Sequence, residues 1–221
     1  MYFANKYLTR MSIADLRQEY AKHELGRESV ADDPIQQFET WFDETLEAEV
    51  EEPNAMTLAT MDATGRPAAR VVLLKGLDER GFVFYSNYES QKGEQISANP
   101  NVALVFWWEP LERSVRIEGK AEKLPEDEST AYFESRPHGS QLGAWASPQS
   151  RVIEGREVLQ KRLEVVENEY DEGEVPRPPH WGGYVVHPRE VEFWQGRPNR
   201  LHDRLRYRST EDGWTLERLA P

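Results

Sequence analysis

The chain has 221 residues, with 40 acidic and 27 basic side chains and a formal net charge of −13. That balance argues against nucleic acid or an anionic membrane as partner, since both need a broad basic footprint. The absence of cysteine excludes disulfides, thiolate nucleophiles and cysteine-ligated zinc.

Hydrophobic residues at 38% and aromatics at 11% suffice for one domain with a real core. The opening MYFANKYLTRMS lacks the apolar stretch of a secretory signal. No apolar run approaches the ~20 residues of a membrane span. The expected location is therefore the cytoplasm.

In chain order, SIADLRQEYAKHEL reads as a short helix capped by Ser12 and ended by Gly26. DDPIQQFETWFDETLEAEVEE reads as a second helix. Asp33 caps it, Pro34 sits in its first turn, and Ile35, Phe38, Phe42 and Leu46 form its apolar stripe. The period then changes from helical to alternating. AMTLATMD, AARVVLLKGL and FVFYSN are strands separated by the turns ATGRP and DERG. SQKGEQISANP is a short helix opening on a serine. NVALVFWWE and RSVRIEGKAEKL are two more strands. Helices return in PEDESTAYFESRP, GSQLGAWAS and IEGREVLQKRLEVVENEY. After the proline-rich loop GEVPRPPHWGG come three strand candidates: GYVVHP, EVEFWQG and RLHDRLRYRS…GWTLERLAP. Strands joined mainly by short turns predict an antiparallel barrel or sandwich, so the expected class is α+β.

Several chemistries find no foothold. The five histidines show no HxH or HExxH spacing, so no metal site is expected. There is no GxGxxG, GxxxxGK[ST] or GxSxG.

Small basic and hydroxyl clusters remain. RVVLLK places Arg70, Val72 and Leu74 on one face of a strand and Val71, Leu73 and Lys75 on the other. Its cations either meet an anion or extend to solvent at the strand ends. FYSNYESQKG offers Tyr85, Ser86, Ser90 and Lys92 at a strand-to-helix junction. That is an anion site, a plain serine cap, or both. YFESRPHGSQ sets Tyr132 and Arg136 four residues apart, with Ser140 beyond the break. These groups can converge on one phosphate, or Arg136 can pair with Glu128 or Glu134. PQS adds Gln149. In NRLHDR, residues Arg200, His202 and Arg204 recur at every second position. On a strand they would share a face and require an anionic partner. Trp194, just upstream, offers a flat apolar surface to a planar ligand.

Three stretches, RVVLLKGLDERGFVFYSNYESQKGEQI, YFESRPHGSQLGAWASPQS and EFWQGRPNRLHDR…W…LERLAP, closely resemble the pyridoxine/pyridoxamine 5′-phosphate oxidase family. The resemblance runs from about residue 12 to the C-terminus. It implies an antiparallel split β-barrel of the FMN-binding type with flanking helices. It also implies a homodimer with FMN at the subunit interface. Residues 1–30 would form an N-terminal helical segment able to close over the site, and 31–221 a single FMN-binding domain with C-terminal strands. The implied reaction is oxidation of pyridoxine or pyridoxamine 5′-phosphate to pyridoxal 5′-phosphate, with dioxygen reduced to hydrogen peroxide and ammonia released from the amine.

By matching position, the resemblance implies that Arg70, Val71, Val72, Leu73, Leu74 and Lys75 would line the FMN. Tyr85, Ser86, Gln91, Lys92, Ser114, Gln149, Ser150, Trp194 and Arg204 also fall at cofactor positions. Lys75, Tyr132, Arg136 and Ser140 match the substrate-phosphate cradle, and Arg200 and His202 match residues over the pyridine ring and are the catalytic candidates. His202 is the easier base by intrinsic pKa, whereas Arg200 suits orientation and charge stabilisation. Arg17 and Tyr20 match the closing segment. Two positions depart from the family pattern: Gln91 stands where Arg is usual and Ser114 where Gln is usual. Two other readings remain open. A flavin or deazaflavin reductase with another electron donor fits the RLHDR and SRP segments less well. A non-catalytic FMN or pyridoxal phosphate carrier would bind flavin without turnover.

Overall fold

In the computed structural model, residues 18–170 and 173–221 are described. Helix α1 (Pro34–Glu47) starts where Asp33 accepts hydrogen bonds from the N–H groups of Ile35 and Gln36, with Pro34 in the first turn. Strands β1 (Ala55–Met61), β2 (Pro67–Leu73), β3 (Gly76–Asp78) and β4 (Gly81–Asn87) follow. Helix α2 (Gln91–Ala98) is capped by Ser90. Strands β5 (Asn101–Trp108) and β6 (Arg113–Lys123) precede helices α3 (Glu126–Glu134), α4 (His138–Ala146) and α5 (Arg156–Tyr170). The chain closes with β7 (Trp181–Gln195), β8 (Asp203–Thr210) and β9 (Gly213–Arg218).

The nine strands of the described residues join one antiparallel sheet, in the order β2-β1-β5-β6-β7-β4-β3, with the β8–β9 hairpin attached to β7. The alternating strands left barrel or sandwich open; an antiparallel half-barrel forms, as the family resemblance implied. Burial alternates along β1, β5 and β6, so each strand gives one face to the core. Trp107 and Trp108 show the consequence: Trp108 is 1% exposed and Trp107, pointing the other way, 48%.

Helix α1 lays its stripe over the inner face of the sheet. Phe38 is fully buried and packs against Phe42, Phe82, Phe106 and Trp108 at centroid distances of 5.0–5.8 Å. Phe38→Ala is expected to cost about 3–5 kcal/mol. A lower urea midpoint at unchanged slope would report it. A second small core forms around Phe133, Leu142, Val175 and Trp181, with Tyr85, Tyr132 and Trp145 packed on it.

Four expectations need correction. RVVLLKGL is not one strand; it breaks at Leu74 and Lys75 between β2 and β3. GYVVHP and EVEFWQG are one strand, β7, which continues through Pro188 because a register shift opposite Glu118 and Gly119 absorbs the irregularity. Gly119 is needed there, because a Cβ would collide with the His187 carbonyl. RLHDR is not an alternating row. Residues 198–200 form a 3-10 turn, Asn199 and Arg200 have φ of 58° and 62°, and β8 begins only at Asp203. Finally, residues 18–25 are not helical, while the rest of the expected first helix, with Arg17, lies outside the described residues.

Candidate active site

The candidate residues gather at the two ends of β7. At the first end, Ser86 pairs in register with Gly182, and Lys92 reaches over it from the first turn of α2. The Lys92 Nζ donates to Gln149 Oε1 at 2.7 Å, Ser86 Oγ at 3.1 Å and Ser90 Oγ at 3.4 Å. Ser86 Oγ also donates to Gln149 Oε1 at 3.2 Å. Burial, then the charge of nearby Arg70, pushes the Lys92 pKa down to about 8. Arg70 donates to Thr60 Oγ1 at 2.6 Å, to Gln95 Oε1 at 2.8 Å and to the Leu58 carbonyl at 3.2 Å. Among the described residues, every oxygen that accepts from these two cations is neutral. A positive cluster answered by no carboxylate suits a bound phosphate. Ser90 both caps the helix, accepting from Gly93 N, and faces Lys92.

Next to this cluster, Asn87, Arg136, Ser140, Gln149 and Trp181 line a recess of about 270 Å³. The Arg136 guanidinium lies 4.6 Å from the Trp181 ring centroid. Its Nη1 is buried and has no hydrogen-bond partner among the described residues, and burial lowers its pKa from the usual arginine value. Glu128, the alternative partner, is instead held by Arg80 through two 2.8 Å bonds. Helix α3 ends at Glu134, so Tyr132 and Arg136 do not share a helix face. Tyr132 stacks on Tyr85 at 3.8 Å and stands parallel to Trp181. Burial raises the Tyr85 hydroxyl to about 12, so it remains a neutral donor.

At the second end, Trp194 lies between His202, at 4.6 Å, and Trp107, at 5.9 Å. Tyr20 crosses edge-on to Trp194 at 5.8 Å and His202 at 5.9 Å. Tyr20, Arg197, Arg200 and His202 help line a recess of about 530 Å³. His202 Nδ1 accepts the Arg197 backbone N–H at 3.1 Å, so the neutral ring carries its proton on Nε2. Burial, then the Arg200 charge, lowers its pKa and favours that neutral form. His202 is therefore placed as a hydrogen-bond donor rather than the base that intrinsic pKa suggested. Arg204 is not free either. It donates to Glu192 Oε1 at 2.7 Å, and Arg116 holds the other oxygen at 2.6 Å. Glu192 is the anion opposite part of the RLHDR segment. Asp203 answers Arg218 at 2.7 Å.

Ser114, Trp107, Arg116, Glu192 and Trp194 line a third recess, of about 290 Å³. The Ser114 Oγ donates to the Phe106 carbonyl at 2.9 Å. Val71, 68% exposed, and Leu73 point away from the core, while Val72 is half-buried and Leu74 buried. Lys75, Gln91 and Ser150 are exposed. Lys75 borders a recess against Phe38 and Phe42 of α1, so one protomer does not bring it into the recess of Arg136. Asn87, Gln95, Trp107 and Glu192 were missed from sequence. Only Trp107 left a signal, since of two adjacent tryptophans on a strand one must face outward.

Two family models cover most of the chain. Residues 42–170 match the model described as pyridoxamine 5′-phosphate oxidase, and residues 181–221 match the pyridoxine 5′-phosphate oxidase C-terminal dimerisation region. The chain belongs to the pyridoxine/pyridoxamine 5′-phosphate oxidase family. It is an oxidoreductase of that family. A relative of that name from Salinibacter ruber is 67% identical over 212 residues, covering 95% of this chain and 99% of its own. Another, from Bordetella petrii, is 57% identical over 96% of this chain and 100% of its own. Among solved structures, PhzG from Burkholderia lata 383, in complex with tetrahydrophenazine-1-carboxylic acid, superposes with a TM-score of 0.86. It is 28% identical and covers 91% of this chain and 100% of its own. An FMN-binding protein from Nostoc punctiforme, at 17% identity, shares the fold with a TM-score of 0.68. Among the described residues, no helix is long and apolar enough to cross a membrane.

Proposed function

We propose that this chain oxidises pyridoxine or pyridoxamine 5′-phosphate to pyridoxal 5′-phosphate, using FMN and dioxygen. The alcohol and O2 give the aldehyde and H2O2; the amine, water and O2 give the aldehyde, NH3 and H2O2. The observation that carries this reading is the pair of adjoining cationic recesses at one end of β7. Lys92 and Arg70 face only neutral oxygens, and Arg136 has a buried N–H without a partner. Two anion sites side by side suit two phosphates, one from each ligand.

FMN, when bound, supplies the two-electron acceptor. Lys92, Arg70, Ser86 and Gln149 would hold its phosphate. Arg136 and Ser140 would fix the substrate phosphate, with Tyr132 and Lys75 assigned to the same task. Trp194 offers the ring a flat wall. His202 presents its Nε2 proton to a ring substituent, and Arg200 adds positive charge as the substrate loses its proton.

The two ends of β7 cannot serve one substrate within a protomer. Trp181 and Trp194 are thirteen residues apart on one strand, a separation of roughly 40 Å along the chain at the usual rise. The complete site therefore needs two copies, with the Trp194 end of one meeting the Trp181 end of the other. The match of residues 181–221 to a dimerisation region and the exposed apolar side chains Val71, Leu73 and Trp107 support a homodimer.

The direct test is purification followed by oxygen uptake with pyridoxine 5′-phosphate. A colourless protein that cannot be reconstituted with FMN would defeat the reading. Flavin bound without turnover would favour a carrier.

Lys92 gives a pH prediction. Its pKa near 8 belongs to the protein without a phosphate; a bound phosphate restores it toward the ordinary lysine value. FMN affinity should thus weaken as pH rises through about 8, and binding near pH 9 should take up a proton. Calorimetry in buffers of different ionisation enthalpy measures that uptake. Proton release would contradict the assignment.

A further inference from the structure

Glu112 lies outside every cluster that the sequence singled out. It precedes β6 with a left-handed backbone, φ 54° and ψ 41°, a conformation unfavourable for any residue with a Cβ. A glycine would fit the turn better but carries no side chain. The Glu112 carboxylate is buried, and its Oε2 accepts the backbone N–H groups of Ala21 at 2.9 Å and Lys22 at 3.1 Å. The Glu112 carbonyl meanwhile accepts Gly196 N–H at 2.8 Å, at the end of β7. One residue thus ties the segment around residue 20 to the end of β7 that bears Trp194 and leads into His202. The fit is close, since a Cβ on Gly196 would lie 2.7 Å from Tyr20 Cβ. Lys22 Nζ adds a 2.6 Å bond to the Pro110 carbonyl. Tyr20 comes to rest 5.8 Å from Trp194 and 5.9 Å from His202.

We propose that Glu112 is a positioning residue, a latch that holds residues 20–22 so that Tyr20 closes the recess containing His202 and Arg200. The latch rests on the function proposed above for that recess. A buried carboxylate receiving two N–H groups is a strong anchor, because removing it leaves both donors to find water. Glu112 acts through Tyr20 and touches no substrate.

The test is a double-mutant cycle on the FMN-loaded enzyme, with Glu112→Ala, Tyr20→Ala and the pair. Each single variant should raise KM for pyridoxine 5′-phosphate about tenfold, with kcat and FMN affinity changed less than about twofold. The pair should be no worse than either alone. Glu112→Gln, which keeps an acceptor oxygen in place, should recover most of the KM. Effects that multiply in the pair, or a Glu112→Ala enzyme with unchanged KM, would overturn the latch. Amide hydrogen exchange at Ala21 and Lys22 gives an answer independent of turnover. Faster exchange in Glu112→Ala supports the latch, and unchanged exchange refutes it. A wild-type protein without turnover defeats the proposed function instead, and the exchange result still judges the latch.

Discussion

Mixing the Arg136→Ala and Arg200→Ala variants, each nearly inactive alone when the substrate is held well below the raised KM of Arg136→Ala, should restore about a quarter of the wild-type rate once subunits exchange. Arg136 packs on Trp181, at the start of β7, and Arg200 lies in the turn beyond its other end. In a composite site, Arg136 of one chain therefore works with Arg200 of the partner subunit. The hybrid dimer then holds one intact site and one carrying both substitutions. Random exchange makes half the dimers hybrid, and half of their sites work. A site drawn from a single chain would leave every site in the hybrid with one defect, so no recovery after complete exchange would sink the two-copy arrangement. Native mass spectrometry of the mixture checks that exchange occurred.

Arg136→Ala by itself should raise KM for the phosphorylated substrate about 100-fold, the scale of losing charge-assisted hydrogen bonds to a phosphate. The turnover number at saturation should change by less than about threefold, because the contact is equally present in ground and transition states. The melting temperature should move little. The substitution removes packing over Trp181 but also removes a buried N–H that has no partner. A large loss of kcat at normal KM would show that Arg136 acts on the chemistry, not as an anchor.

Part of this arrangement of side chains was legible before any coordinates. Serine before the short helix α2 offered a cap, an anion site or both; Ser90 caps the helix and faces Lys92. Ser86, Lys92 and Gln149 come together although Gln149 is 57 residues from Lys92. Arg136 and Ser140 share a recess. The RLHDR segment was the instructive failure. Alternation along a chain predicts a shared face only if the backbone is extended. The positive φ of Asn199 and Arg200 turns the chain instead, so His202 reaches Trp194 from a loop while Arg204 sits on β8 against Glu192. Glu112 was invisible for a related reason: its partners, Ala21 and Lys22, are backbone groups about 90 residues away.

The sequence by itself determined the class of fold and singled out the residue types of the candidate site. Periodicity is local, so alternating strands, capped helices and a −13 charge punctuated by small basic clusters can be read without a structure. Only the tertiary structure decided which cations are held by carboxylates and which, among the described residues, are not. Arg80, Arg204 and Arg116 are held by carboxylates, whereas Lys92 and Arg136 are not. It also decided that the two clusters of candidate residues stand at opposite ends of one long strand. Pairing across a sheet and the reach of a side chain depend on residues distant in sequence, and no local pattern carries that information.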